Sequence, residues 1–507
     1  MMSKRIAIID LGSNSGRLII FHICQNSAYN LIYEQKETLR LGESIAKTGK
    51  LSGEALTRTL GTFHTFAHMC KLFKVDTILA VATAAVRNAD NGDKFLRNVL
   101  QETGIEVKVI SGIEEAHLGY LGTINTIDID NAVLFDLGGG SIELTYVKDR
   151  TALHSISIPL GAVTLTEEFK SQNKLSLEEL NTLMQFIIKK LAAVPWLHNC
   201  AVPLVGIGGT ARNIAKMDQR KKNYPFNKVH NYRLGYLSFK KIWNDIISSS
   251  YAQRRKIPGL NNERADIILA GSTLIHCLFE ITQADRLIVS GNGVRTGLFY
   301  EHYAPDKALD ILHQSTRNLL LLEEGNTAHA EHVRDLALSL FDGWESLHQL
   351  SKRDRTILDV AALLHDIGIR INYYNHPRHS AYLVENASLF GLTHHEQILT
   401  AVIVGWHNGL NKKFAHNAIY NELLDATDWI IARKLSLLLA LAETLDATEM
   451  GLISTVQASI HKNGAPILQI HATEPALIEQ QALAQHEKWF KKEFGLPLTV
   501  VDVTSPR

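Results

Sequence analysis

Over roughly the first 300 residues, short apolar runs alternate with stretches of helical spacing; beyond them only the helical spacing continues for a long way. KRIAIID and GRLIIF flank a turn of small polar residues, a strand–turn–strand pattern. A helix is predicted from Ser52, as N-cap, to about Phe73, followed by a strand over Thr77–Ala82 and the turn T-A-A-V-R ending at Arg87. A helix over about Asp93–Thr103 and a strand over Glu106–Ile110 follow, and Ser111-Gly112 opens a helix carrying Glu114 and Glu115. A second strand–turn–strand segment begins another such unit near residue 130. It continues with a helix from Ser176, a strand-turn-helix over 203–216, a long amphipathic stretch over 262–281, and a strand with a Gly-rich turn over 286–301. Alternation of this kind predicts α/β architecture.

From about residue 306 helical patterns succeed one another to about residue 450. The tail reads as two strands (Val456–His461 and Ile467–His471), a helix (about Pro475–Phe494) and a closing strand (Leu498–Val503), with Pro475 expected in the first helical turn, where its missing N–H is harmless. The expected domains are 1–125 and 126–303, both α/β, a helical domain over 306–450, and a small α/β domain over 451–507.

Composition narrows the function classes. At 507 residues the chain is long enough for about three or four domains. Lys plus Arg equals Asp plus Glu at 52 each, so no global positive field favours nucleic acid, and an anionic substrate must be handled by local groups. Cys24, Cys70, Cys200 and Cys277 show no C-x-x-C spacing and fit free thiols. The N-terminal apolar run is stopped by Asp10, and no apolar stretch reaches the ~18 residues of a membrane helix. A cytoplasmic protein that binds neither membrane nor nucleic acid is expected.

Two segments carry the chemistry. IIDLGSNSGRLIIF (8–21) and LFDLGGGSIELTYV (134–147) share D-L-G-x-x-S, which aligns Asp10 with Asp136, Gly12 with Gly138 and Ser15 with Ser141. Glycines let the backbone approach a bulky anion and present successive N–H groups to phosphate oxygens. Aspartates are hard oxygen donors suited to Mg²⁺. The plain alternative, two ordinary hairpins with Asp-Gly turns, is weakened by the duplication. GIGGT (206–210) and SGNG (290–293) add two more Gly-rich turns after strands, and no G-x-x-x-x-G-K-[ST] motif is present. The loops are expected to converge on one phosphate cleft.

DLGSNS with Arg17, T-A-A-V-R, ISGIEEA, DLGGGS-I-EL and GIGGT occur in the order found in the exopolyphosphatase/guanosine pentaphosphate phosphohydrolase (Ppx/GppA) family, which the chain resembles over about residues 5–300. The resemblance implies two actin-like (ribonuclease H-like) α/β domains followed by an all-helical domain. It implies Glu115 as general base, a choice that spacing alone leaves open between Glu114 and Glu115. Arg87 would contact phosphate, and Asp136 and Glu143 would organise Mg²⁺ or the attacking water. Phosphate binding would fall to Asp10, Gly12, Ser13, Asn14, Ser15 and Arg17 in the first loop and to Gly138, Gly139, Gly140 and Ser141 in the second. Gly208, Gly209 and Thr210 would add to it. Thr296 stands where the family often has Glu, which discounts the last turn as a source of catalytic residues, although Arg295 remains.

LLHDIG (363–368) resembles the HD metal-dependent phosphohydrolases, and the wider segment resembles the C-terminal domain of longer Ppx/GppA proteins. That implies ligands for a second divalent metal among His329, His365, Asp366, His379, His407 and Glu443, with His332 an alternative to His329. Glu443 replaces the usual Asp. Alternatively the helical domain extends a polyanion channel or supports a dimer interface; a homodimer is expected. The reading is a Mg²⁺-assisted exopolyphosphatase acting on inorganic polyphosphate. Hydrolysis of guanosine pentaphosphate uses the same chemistry and is the alternative; more distant ones are a kinase or ATPase of the same superfamily and a non-catalytic sensor of polyphosphate or nucleotide.

Overall fold

The computed structural model describes residues 3–42, 45–304, 310–410, 414 and 418–502. They form two compact units, divided between Leu309 and Asp310. The border expected between 303 and 306 runs into residues 305–309, outside the described residues, as does Val503 of the closing strand.

The first unit contains two sheets. In one, β1 (Lys4–Leu11), β2 (Ser15–Ile23), β3 (Tyr29–Thr38), β4 (Thr77–Ala82) and β5 (Val107–Val109) lie in the order β3-β2-β1-β4-β5. In the other, β6 (Ala132–Leu137), β7 (Ile142–Lys148), β8 (Thr151–Ile158), β9 (Leu204–Ile207), β10 (Tyr232–Gly235) and β11 (Arg286–Val289) lie in the order β10-β11-β9-β6-β7-β8. Read from β8, the second sheet repeats the first, with β10 added antiparallel to β11 at the edge. In each, three strands form an antiparallel meander and the first of them pairs parallel with the next strand. This is the ribonuclease H-like topology of actin-like domains. The third meander strands, β3 and β8, are additions to the sequence reading.

Register makes the two lobes equivalent residue by residue. Asp10 pairs with Arg17 across β1 and β2, and Asp136 pairs with Glu143 across β6 and β7. The turn between them closes identically: the Gly12 N–H donates to the Ser15 carbonyl at 3.1 Å and the Gly138 N–H to the Ser141 carbonyl at 3.0 Å.

The stretch expected to be one amphipathic helix over 262–281 is a short 3₁₀ turn (Asn262–Arg264) and a helix over Ile268–Thr282. That helix is buried at every position from Ile268 to Phe279. It packs against the helices Leu177–Leu191, Gly209–Lys221 and Tyr236–Ser248, so it has no solvent face over that stretch. Its hydroxyls bond within the helix: those of Ser272 and Thr273 donate to the Leu269 carbonyl at 3.1 and 2.8 Å. The T-A-A-V-R turn contains a single helical turn over Ala84–Arg87.

Helices Gly112–Ile124 and Val294–Tyr303 pack closely on one another and link the two lobes. A Cβ on Gly297 would stand 2.0 Å from the Leu118 carbonyl oxygen, so the approach needs glycine.

The described residues of the second unit form helices between Ile311 and Thr444, then β12 (Ile453–Ile460), β13 (Pro466–Ala472), a helix (Leu477–Phe494) and β14 (Thr499–Asp502), with the strands in one sheet of order β12-β13-β14. Pro475 lies ahead of that helix rather than in its first turn, because Ala476 keeps a non-helical backbone (φ −95°, ψ 62°) and the helix starts at Leu477. Among the described residues, no helix is long and apolar enough to cross a membrane.

Gly297→Val should force the two linking helices apart and cost roughly 2–3 kcal/mol of stability. Urea denaturation checks this; an unchanged midpoint would contradict the close packing.

Candidate active site

The loops after β1 and β6 face each other across a cleft of about 160 Å³ within the first unit. Asp10, Gly12, Ser13, Asn14, Ser15 and Arg17 line it from one lobe, and Asp136 with Gly138–Ser141 from the other. Gly208 and Gly209 complete the wall. Gly208 has φ +95°, and a Cβ there would lie 2.8 Å from the Leu137 carbonyl and 3.1 Å from Asp136 Oδ1. Thr210 does not line the cleft. Its side chain is buried against the central helix beside Gly271, because it follows the turn into the first helical residues.

Glu114 and Glu115 are separated by local geometry. Ser111 caps the helix: the Glu114 N–H donates to Ser111 Oγ at 3.1 Å, and the Ser111 N–H donates to Glu114 Oε2 at 2.8 Å. Lys108 holds Glu114 at 2.8 Å, and that contact together with the Ser111 N–H lowers its carboxyl to about 2. Glu115, one residue on, is only 9% exposed and lines the cleft. Burial, and then the neighbouring carboxylates of Glu143 and Asp136, push it well above the ordinary carboxylate range.

Arg87 and Glu143 stand behind Glu115. Arg87 Nη1 donates to the Ile110 carbonyl at 2.6 Å and to Glu115 Oε2 at 3.4 Å. It is not among the residues that line the cleft, and its guanidinium is held against Glu115. Glu143 is buried and accepts a hydrogen bond from Ser157 Oγ at 2.7 Å. Burial raises its carboxyl, and the Ser157 and Ser141 hydroxyls work against that rise. Asp136 is raised to about 7 by burial, then by Glu143 and Asp10.

Facing these carboxylates is a group of arginines that includes Arg212, Arg264 and Arg295, besides Arg17. Arg212 and Arg264 escaped the sequence reading, and Arg295 belongs to the turn it discounted. Burial and then the charge of Arg295 and Arg212 lower Arg17 to about 10, and Arg212 and Arg264 are lowered by burial and by neighbouring guanidiniums. Arg295 reaches Glu34 at 3.2 Å and Asp10 at 3.9 Å. Crowded, partly desolvated guanidiniums of this kind suit a polyanion. Oxygen-only carboxylates opposite them suit Mg²⁺.

The SGNG turn is anchored from below by His230. The Gly291 N–H donates to His230 Nδ1 at 3.1 Å, and Nε2 lies 3.0 Å from the Thr126 carbonyl, which makes the ring a neutral Nε2–H tautomer. Burial lowers its pKa to about 4.

In the second unit, His329, His365, Asp366 and Glu443 come together, and so do Asp366, His376 and His407. His379 lies on the same helix as His376, at the next turn, and belongs to neither group; His376 takes the place expected for it. His332 is turned away, with Nε2 2.9 Å from the Ile453 carbonyl. Burial opposes charge on His329 and His365, but the carboxylates around them prevail and raise them to about 10 and about 9.

Glycine loops, an arginine wall and buried carboxylates on duplicated ribonuclease H-like lobes define a protein that handles phosphoryl groups. The sequence profile of the Ppx/GppA phosphatase family matches residues 19–304, and that of domain III of the same phosphatases matches residues 313–488. The chain belongs to the Ppx/GppA phosphatase family, whose members are phosphohydrolases. Its fold is similar to the crystal structure of the Aquifex aeolicus family member, at 31% identity and TM-score 0.54 over 61% of this chain and 100% of that one. It is also similar in fold to an exopolyphosphatase from Cytophaga hutchinsonii, at 23% identity and TM-score 0.56 over 60% of this chain and 99% of that one.

His230 gives a pH dependence with a definite sign. The unfolded imidazole takes a proton below about 6.5 whereas the folded one resists until about 4, so stability is lost as pH falls through that window, by at most about 3 kcal/mol. His230→Gln should flatten the fall in melting temperature between pH 6.5 and 4. An unchanged slope would show that other groups dominate.

Proposed function

We propose that the chain removes terminal phosphates from inorganic polyphosphate by hydrolysis. The observation that carries this reading is the Glu115 carboxylate, lining the cleft and held by Arg87, opposite glycine loops and arginines. Glu115 takes a proton from water, the water oxygen forms a bond to the terminal phosphorus, and the phosphoanhydride bond breaks to release orthophosphate and a chain one unit shorter. Its raised proton affinity suits it to accept that proton. Glu143 positions Glu115 from behind. The N–H groups of Gly139–Ser141 and Ser13–Ser15 face the terminal phosphate, and Arg17, Arg212, Arg264 and Arg295 bind the trailing chain. Asp136, with Asp10, would hold Mg²⁺, which supplies charge neutralisation on the phosphate oxygens; the repulsion between these half-buried carboxylates is what a cation relieves.

A second reading, hydrolysis of guanosine pentaphosphate, is favoured by one feature. A cavity of about 500 Å³ adjoins the loops through Ser13, Asn14 and Gly139 and is walled by Ala84, Pro159, Val163 and Ile267, a size and lining suited to a nucleoside.

Phosphate release with Mg²⁺, measured in parallel on long-chain polyphosphate and guanosine pentaphosphate, separates the two: faster release from polyphosphate, with shortening from the ends, is expected, and preference for the nucleotide overturns that choice. Glu115→Gln should lower kcat about 10²–10⁴-fold with little change in KM. Glu114→Gln keeps the capping box and should leave both stability and kcat near wild type. Full activity in Glu115→Gln would rule out the mechanism. Arg264→Ala should raise KM for polyphosphate at low salt and make it rise less steeply with added salt than in the wild type, because one screened contact is gone.

A further inference from the structure

Glu34, on the outer meander strand β3, reaches the arginines of the phosphate cleft from outside. Its Oε1 accepts a hydrogen bond from Arg17 Nη1 at 3.4 Å and another from Arg295 Nη1 at 3.2 Å. One carboxylate oxygen is thus shared by two guanidiniums that both line the cleft, although Glu34 itself is not among the lining residues. The side chains of Arg17 and Arg295 are 19% and 17% exposed and that of Glu34 is 46% exposed, so the carboxylate stands on the solvent side of the pair. Lys36, two residues on and on the same face of the strand, is turned to a different acid, Glu263 at 3.3 Å.

This contact is built differently from a structural arginine pair of the same chain. Arg355 grips Asp342 as a fork, with Nε and Nη2 on the two carboxylate oxygens at 2.6 and 2.7 Å. Glu34 instead offers a single oxygen to two donors, at longer distances and half in water, an arrangement that adds little to folding stability. What it supplies is charge. Burial, and then repulsion from Arg295 and Arg212, lowers the proton affinity of Arg17; Glu34 works against that, and its charge reaches Arg212 as well. A negative oxygen held loosely between two guanidiniums is what an internal phosphate of a polyanion would present to them.

We propose that Glu34 is a specificity-determining residue whose carboxylate occupies Arg17 and Arg295 until a phosphate chain takes them, an inference that rests on the polyphosphate hydrolysis proposed above. A ligand that ends at the glycine loops leaves this carboxylate in place. A chain long enough to run on to the arginines must displace it and then lies beside its charge. Glu34 therefore weakens the binding of long chains and leaves that of orthophosphate alone. It also keeps the trailing phosphates loosely held, so that the chain can advance by one unit after each cut.

The test compares the wild-type chain with Glu34→Gln, which keeps the length of the side chain and removes its charge. At low salt KM for long-chain polyphosphate should fall roughly 3–10-fold, an advantage that shrinks with added salt, while inhibition by orthophosphate changes less than about twofold. Made on top of Arg295→Ala, the same substitution should lower KM less, because one of the two guanidiniums that Glu34 holds is gone. Binding of long-chain polyphosphate in chelator, which removes the Mg²⁺ that turnover needs, gives a second readout, and its Kd should fall by the same factor. If the wild type releases no phosphate from polyphosphate, the proposed function fails, and the binding comparison alone decides the role of Glu34. A KM and Kd that stay unchanged or rise in Glu34→Gln, an equal tightening of orthophosphate, or an equal gain beside Arg295→Ala would each overturn the inference.

Discussion

Like charges held close together in a partly desolvated cleft are the constraint on which the first unit depends. Burial and the carboxylates around them raise the proton affinity of Glu115 and Asp136, while Arg17, Arg212, Arg264 and Arg295 crowd one another across from them. Such groups are costly to bury unless paired. Pairing across the cleft is sparse: Arg87 meets Glu115 at 3.4 Å and Arg295 approaches Asp10 at 3.9 Å. Rigid support has to come from elsewhere, and it comes from the apolar lobes. Fully buried Ile8, Ile9 and Leu18 sit beneath one loop and Phe135, Leu137 and Ile142 beneath the other. A cleft held open against its own repulsion is preorganised for ligands that carry the missing charges, a phosphate chain for the arginines and a cation for the carboxylates.

Duplication supplied the scaffold and divergence the chemistry. Asp10 and Asp136 occupy the same place in equivalent sheets, and their partners in register are Arg17 and Glu143. One lobe therefore adds a cation where the other adds an anion. Symmetric lobes with Arg at both positions would lack the carboxylate behind Glu115, and lobes with Glu at both would repel the substrate. The single substitution in register accounts for much of the polarity of the cleft.

Loops with distinctive residues were legible in the sequence; groups assembled only by tertiary packing were not. The paired D-L-G-x-x-S turns lie where the pattern puts them, as do the strand Thr77–Ala82 and the Ser52 cap. β3 was missed because its exposure alternates between half-buried and open and its sequence, YNLIYEQKET, is largely polar. Arg212 and Arg264 were missed because an arginine in a helix or after an Asn turn normally faces solvent, and only the return of two distant segments brings them to the glycine loops. Glu114 and Glu115 could have been told apart: Ser111 and Glu114 form an S-x-x-E capping box, which commits Glu114 to the helix end. His376 and His379 could not, since the choice depends on where the helix after Asn375 begins and which ring then faces Asp366.

Charge around the two neighbouring cavities bears on the direction a substrate takes. The larger one has Glu167, Glu263 and Asp266 in its wall and Arg40 as its arginine, whereas the smaller one has Arg17, Arg212, Arg264 and Arg295. A chain of phosphates gains from the four arginines of the smaller cavity, where a cation screens Asp10, Glu115 and Asp136, and is repelled by the acidic wall of the larger one. A nucleoside, which carries no charge of its own, is tolerated by the larger one and gains apolar contact there. A linear polyanion therefore has one favourable course, along the arginines with its end at the glycine loops. A nucleotide has a choice that depends on which end of it enters. The distinction between the two candidate substrates consequently rests less on the residues at the reacting phosphorus, which both share, than on the acidic wall one step away.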